Sequence, residues 1–274
     1  MGSLFASHSP TQDPMNGFDF KAALRGRQRV YGTMFVTTRA GQGDERLGEL
    51  GLDFLIVDNE HSPYNRAETA AWCRRLTQLG IVPFVRVPIP ASHYITMALD
   101  GGAQGILAPY VERVEQVQEC VAACKYLPLK GEAVDRAART GIFPSEETRA
   151  WLAERNQNNT LVIGIESVAA MERLDQLLAV PGVDGAFVGP NDLSIQLGVP
   201  AQYGHPKYIE AVQRIHQTCV RHQVPLVIHF FTHEMAEPFI RDGVHFVLFG
   251  SDRGGVGELK PHFDFLRGVQ AKGA

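Results

Sequence analysis

Cysteine is scarce in this 274-residue chain: there are four, and Cys73, Cys120, Cys124 and Cys219 show no C-x-x-C or C-x-x-C-H spacing. That excludes a disulfide scaffold and leaves buried free thiols in a reducing compartment as the expectation. Cys120 and Cys124 share a face of an expected helix, which suits core packing better than zinc. A surplus of one charge is lacking too: 26 Lys plus Arg against 30 Asp plus Glu leave −4, neither the basic footprint of a nucleic-acid binder nor an acidic tail. No run approaches the roughly 18 apolar residues of a membrane span. Residues 1–20 hold no Lys or Arg and no apolar core segment. They fit a mobile arm better than a signal peptide, with one folded domain expected over 21–274. Ala6 stands where a myristoylation signal carries Ser or Thr. The expectation is a cytoplasmic protein with small-molecule partners, no membrane and no nucleic acid.

What is present is a rhythm. Short runs rich in Val, Ile and Phe at 31–36, 54–58, 82–87, 105–108, 161–165, 185–188, 226–229 and 246–249 read as strands. They are continuous rather than alternating, as in parallel strands covered on both faces. Between them, 65–79, 114–123, 168–178, 206–221 and 234–241 place apolar residues at three- and four-residue intervals, implying helical crossovers. Eight βα units in about 270 residues predict a single-domain α/β fold, the (β/α)8 TIM barrel. The runner-up is a doubly wound open sheet, but Gly41 and Gly43 lack the third glycine of a dinucleotide fingerprint. Residues 130–159 break the rhythm and read as a long loop, a lid or binding loop, with a helix-like segment at 145–156.

Barrels of this kind build their sites at the carboxyl ends of the strands. There the sequence places Asp58, Asn59, Glu60 and His61 after strand two, Arg86 ending strand three, and Glu166 after strand five. Gly189, Pro190, Asn191 and Asp192 follow strand six, His229 ends strand seven, and Ser251 and Asp252 follow strand eight. Glu166 and Asp192, from neighbouring strand ends, can share a hard divalent cation, and oxygen ligands favour Mg²⁺ or Mn²⁺ over zinc. The bland alternative is that both carboxylates serve helix first turns. Asp58 and His61 are spaced to form a carboxylate-oriented imidazole base, although a lone histidine is more often structural. Arg86 needs a carboxylate or a developing negative charge to justify its place in an apolar run; otherwise it pairs with Glu60 or Asp58. The helix opened by Gly189–Pro190–Asn191–Asp192 offers backbone N–H groups to a carboxylate.

VDNEHSP (57–63), PFVRVP (83–88), LDGGAQGILAP (99–109), IES (165–167), GVDGAFVGPNDLSIQLG (182–198) and FGSD (249–252) occur here in order. Together they resemble the HpcH/HpaI family of metal-dependent class II pyruvate aldolases, of the 4-hydroxy-2-oxoheptanedioate aldolase type, over about residues 25–269. The resemblance implies a divalent cation (Mg²⁺, Mn²⁺ or Co²⁺) held by Glu166 and Asp192 and binding the oxygens of pyruvate. It implies His61 as base with Asp58 orienting it, Arg86 stabilising the enolate, and amides at Asn191 and Asp192 binding the pyruvate carboxylate. Asp100 matches an acid that reaches a neighbouring subunit's site, so a homo-oligomer, commonly a hexamer built as a trimer of dimers, is implied. The activity implied is making or breaking the carbon–carbon bond between pyruvate and an aldehyde.

Two departures stand out. Where the family usually has glutamine two residues before the metal glutamate, this chain has Gly164, which suggests a larger or water-filled pocket. Where small or apolar residues are usual at the end of strand seven, it has His229, followed by Phe230, Phe231 and, four residues on, His233. An H-x-x-x-H metal pair is disfavoured by the strand-to-helix junction between the two histidines. His229 is instead expected to contact substrate, and the pair Gly164 and His229 to influence acceptor choice. Alternative readings are an oxaloacetate-type decarboxylase, or an enzyme like macrophomate synthase, using the same site, and a noncatalytic carboxylate-binding barrel. Citrate lyase beta subunits are disfavoured because they usually lack the Glu60–His61 pair.

Overall fold

The computed structural model of the chain describes residues 15–38 and 46–271. The strands are β1 (Val30–Phe35), β2 (Phe54–Asp58), β3 (Val82–Arg86), β4 (Gly105–Ala108), β5 (Thr160–Gly164), β6 (Gly185–Val188), β7 (Leu226–Phe230) and β8 (Phe246–Ser251). The helices are α1 (Gly17–Arg25), α2 (Arg66–Gln78), α3 (Ser92–Asp100), α4 (Val114–Lys125), α5 (Gly131–Thr140), α6 (Glu146–Arg155), α7 (Val168–Glu172), α8 (Leu174–Leu178), α9 (Pro190–Gln196), α10 (Pro206–Arg221), α11 (His233–Arg241) and α12 (Lys260–Gly268). All eight strands are parallel neighbours in sequence order, and β8 closes on β1. This is the expected (β/α)8 barrel, and it excludes the open sheet; Gly41 and Gly43 lie outside the described residues. None of the described helices is long and apolar enough to cross a membrane.

The continuous apolar strands have the physical reason anticipated for them. Every second residue points into the barrel, where Met34, Phe54, Ile56, Phe84, Leu107, Val162, Phe187, Val227 and Leu248 form an inner core. The intervening residues, among them Phe35, Leu55, Val57, Val85, Ile106 and Ile228, join Trp72, Ile95, Val117 and Ile215 of the helices in an outer core.

Three expectations change. Of the arm foreseen over 1–20, residues 1–14 lie outside the described residues, but Met15–Phe20 belong to the domain. Asn16 caps α1 by accepting from Phe18 N and Asp19 N. Phe20, fully buried, places its ring edge-on to Phe54, Phe84 and Phe246 at 5.5, 5.3 and 5.5 Å, stoppering the amino-terminal end of the barrel. Second, 130–159 is no lid: it folds into α5 and α6, with Ser145 capping α6, between the end of α4 and the start of β5. Asn156 Nδ2 donates to the carbonyls of Lys125 and Leu127, so this pair of helices is fastened at the end of the barrel away from the strand carboxyl termini. Third, the helix expected over 168–178 is two short ones, broken at Arg173.

Candidate active site

The inward parity of the strands decides which polar side chains meet. In β2 the step from Phe54 through Ile56 brings Asp58 inward, and in β3 the step from Val82 through Phe84 brings Arg86 inward. Asp58 and Arg86 are register partners. Asp58 is fully buried, and its two oxygens accept from Arg86 Nε at 2.8 Å and Nη2 at 2.7 Å, a bidentate pair. The third guanidinium nitrogen, Nη1, lies 3.0 Å from Glu60 Oε2. Burial works against the charge on Arg86, yet these bonds with Asp58 and the field of Glu60 outweigh it and raise the pKa of the guanidinium further.

Glu60, expected at the strand end and as an alternative partner of Arg86 but given no role in the chemistry, is therefore part of the cluster. Burial raises its pKa, opposed by Arg86 and then His61. The expected Asp58–His61 dyad is not what forms. With both oxygens of Asp58 engaged by Arg86, the contact of Asp58 with His61 is to its backbone N–H at 3.3 Å. The imidazole, with a side chain 57% exposed, stands over the mouth with Nε2 3.6 Å from Glu60 Oε2. Its carboxylate neighbour is thus Glu60.

On β5 the same parity runs from Val162 through Gly164 to Glu166, which is buried. One oxygen, Oε2, accepts from Tyr110 N at 3.0 Å; the other, Oε1, is buried without a hydrogen-bond partner among the described residues. Burial, then the nearby Glu60, and Asp192 more weakly, push the carboxyl up to about 8 against the pull of Arg86. Gly189 makes room for it, since a Cβ there would lie 2.5 Å from Oε1. Gly164 leaves no larger pocket: a Cβ there would meet Tyr110 N at 2.9 Å and Pro109 Cα at 3.0 Å. The chain after β4 fills that space, with Tyr110 at φ +34°.

Asp192 lies in the first turn of α9, exposed, and its charge reaches both Glu166 and Glu60. The amide oxygen of Asn191 accepts from the Tyr203 hydroxyl, which ties that side chain to the loop before α10. His229 faces inward from β7, buried, its Nε2–H donating to Gly250 O at 2.8 Å. Burial pushes its pKa down to about 4, so the ring is neutral. His233 turns elsewhere and pairs with His262 at 2.9 Å, so no His229–His233 pair exists. Asp252 is a fastener, accepting from Val36 N, Thr37 N and Thr38 N. Asp100, the last residue of α3, is not drawn into this cluster and lies 3.8 Å from Arg66.

A hard divalent cation fits this arrangement. An unpartnered buried carboxylate oxygen, crowded by two more acids, is the electrostatic condition a cation relieves. Among the described residues no group of three or more His, Cys, Asp and Glu comes together to hold a metal. Of the two acids expected to hold such a cation, Glu166 is buried and Asp192 is exposed. A cavity of about 890 Å³ opens elsewhere, lined by Phe18, Lys21, Lys125, Tyr126 and Phe143, and includes none of these site residues.

Residues 33–257 match the sequence model of a family described as HpcH/HpaI aldolase/citrate lyase. A 2-keto-3-deoxy-L-rhamnonate aldolase of Salmonella typhi is 36% identical, covering 73% of each chain. A 5-keto-4-deoxy-D-glucarate aldolase of Shigella sonnei is 33% identical over 86% of this chain and 91% of its own. The crystal structure of an HpcH/HpaI aldolase from Desulfitobacterium hafniense superposes with a TM-score of 0.73 at 28% identity, covering 89% of this chain and 93% of that one.

Proposed function

Because this chain belongs to the HpcH/HpaI aldolase/citrate lyase family, we propose that it is a carbon–carbon lyase joining and separating pyruvate and an aldehyde, with a divalent cation on Glu166 and Asp192. The observation that carries this reading is Glu166 Oε1, buried at the strand ends without a partner and close to a second carboxylate. The bound cation, Mg²⁺ or Mn²⁺ by the hardness of these oxygens, supplies positive charge against the oxygen that becomes negative when pyruvate loses a methyl proton.

The protein's own groups supply the rest. Arg86 is held on two sides by Asp58 and Glu60, so its guanidinium stays fixed and charged where negative charge develops. His61 presents an exposed imidazole above the cluster, placed to take the methyl proton and return it. Glu60, 3.6 Å away, stabilises the imidazolium that results. The backbone N–H of Tyr110 orients Glu166, and the first turn of α9, which has no side-chain cap, faces a substrate carboxylate. The four buried thiols support a reducing compartment, the cytoplasm, as the place of action.

The test is exchange of pyruvate methyl protons with solvent deuterium, followed by NMR with Mg²⁺ and with chelator. Exchange is expected only with the metal, and Glu166→Gln or Asp192→Asn is expected to reduce it at least a hundredfold. Undiminished exchange in metal-free buffer would refute the assignment.

A further inference from the structure

Three rings at the mouth of the site are unused by the chemistry above. Phe231 lies one two-residue step beyond His229, and their ring centroids are 4.6 Å apart. Tyr203, from the loop before α10, packs against Phe231 at 5.6 Å. Its hydroxyl donates to Asn191, and burial together with the charge of Asp192 raises its pKa. The series His229, Phe231, Tyr203 thus forms one wall. It begins at a histidine close enough to feel Arg86 and Asp58, and ends beside the aspartate proposed to hold the metal. Tyr110, whose N–H holds Glu166, adds a further ring at the rim. Phe231 and Tyr110 are 37% and 39% exposed, large apolar surface left open at a site mouth.

The polar tips of this wall are already engaged. Tyr203 donates to Asn191, Tyr110 donates to Pro88 O at 3.2 Å, and His229 Nε2 donates to Gly250 O. Ring faces and edges are what remain for a ligand. Such a surface gives a hydroxyl-rich chain few partners in exchange for lost water, whereas a planar apolar body gains by stacking and by leaving water. We propose that this wall is the acceptor subsite and that the aldehyde it takes carries a planar, apolar body, as benzaldehyde does, rather than a polyhydroxylated chain. This rests on the lyase reading and deepens it. The methyl carbon of pyruvate, having given up a proton, bonds to the aldehyde carbon. The carbonyl π pair moves onto the aldehyde oxygen, which takes up a proton, giving a 4-hydroxy-2-oxo acid with the ring on carbon four; no oxidant or reductant is required.

The experiment measures kcat/KM for addition of pyruvate to benzaldehyde and to D-glyceraldehyde with Mg²⁺, in wild type and in Phe231→Ala. Methyl-proton exchange without aldehyde and saturation-transfer NMR with unreactive benzyl alcohol accompany it. Wild type is expected to favour benzaldehyde at least tenfold. Phe231→Ala, at a part-exposed position that does not threaten folding, is expected to lower that preference about tenfold and weaken the benzyl alcohol signal. Exchange with a preference for glyceraldehyde overturns the acceptor assignment and leaves the lyase reading intact; absence of exchange overturns both. A changed sedimentation coefficient in Phe231→Ala with an unchanged acceptor ratio also overturns the assignment, and identifies the rings as a contact between copies.

Discussion

Glycine 164 has no room for a side chain, because the peptide joining Pro109 and Tyr110 lies where one would begin. The same peptide delivers the N–H that Glu166 accepts, and Val111 N bonds back to Gly164 O at 3.2 Å. Restoring glutamine there is therefore expected to displace Tyr110 and disturb Glu166, not merely to change acceptor choice. Gly164→Gln should lose at least tenfold in pyruvate proton exchange and about 1–3 kcal/mol in urea unfolding; unchanged exchange would show that the backbone yields without consequence. His229 gives a second expectation. Its folded pKa, pushed down to about 4 by burial, lies below the ordinary value near 6.5. The unfolded chain thus takes up a proton that the folded chain refuses. The contribution of this ring to stability is complete above pH 6.5 and is lost as pH falls from there toward 4, with a slope of up to about 1.4 kcal/mol per pH unit. Denaturant titrations between pH 7 and 4.5 should show a shallower decline in His229→Gln than in wild type, and parallel curves would refute it. Asp58, Arg86, Glu166 and His229 were legible as an inward set because strand parity is written in the apolar residues preceding them. The pairing of Arg86 with Asp58 and Glu60 was also among the readings, but the partner of His61 was not, because the bidentate Asp58–Arg86 pair that turns the imidazole toward Glu60 depends on a cross-strand register that one strand alone does not encode.

Strands were read to within about two residues at either end, since eight short apolar runs have no other stable use than a buried parallel sheet. Helices were harder. The helix α1 escaped notice because its polar face and the preceding Pro, Asp and Asn look like a tail, whereas Phe20 shows its purpose only against three rings from distant strands. In the segment read as a loop, the helix-like stretch at 145–156 is α6, whereas α5 was hidden by its polar composition, and the fastening of the pair through Asn156 is a tertiary contact. Replacing Phe20 by Ala is expected to destabilise the barrel by about 3–5 kcal/mol, the range for removing a fully buried ring. Urea unfolding followed by circular dichroism measures this, and a loss below about 1 kcal/mol would mean the stopper is dispensable.

At the scale of the molecule, Asp100 poses the question of assembly. Its side chain is 60% exposed beside an equally exposed Arg66, a pairing that contributes little by itself. We propose that the carboxylate serves the site of a neighbouring copy, consistent with its absence from the cluster in its own barrel. Sedimentation should then show a homo-oligomer, with Asp100→Asn less active but still assembled; a fully active monomer would refute this. The barrel itself was legible because a βα unit repeated eight times admits few closures. A homo-oligomer was expected only through the resemblance, because an acid meant for another copy's site would look, in one chain, like any solvated acid.

The stopper at the amino-terminal end also has a bearing on biosynthesis. Phe20 emerges from the ribosome before Phe246, one of the three rings it rests against, which emerges only when β8 is made. Until then the nascent chain carries an amphipathic helix whose seat is incomplete. The seat of Phe20 is therefore assembled in two stages, first against Phe54 and Phe84 and then, once β8 has been made, against Phe246, so a chain halted before β8 leaves this ring only partly covered.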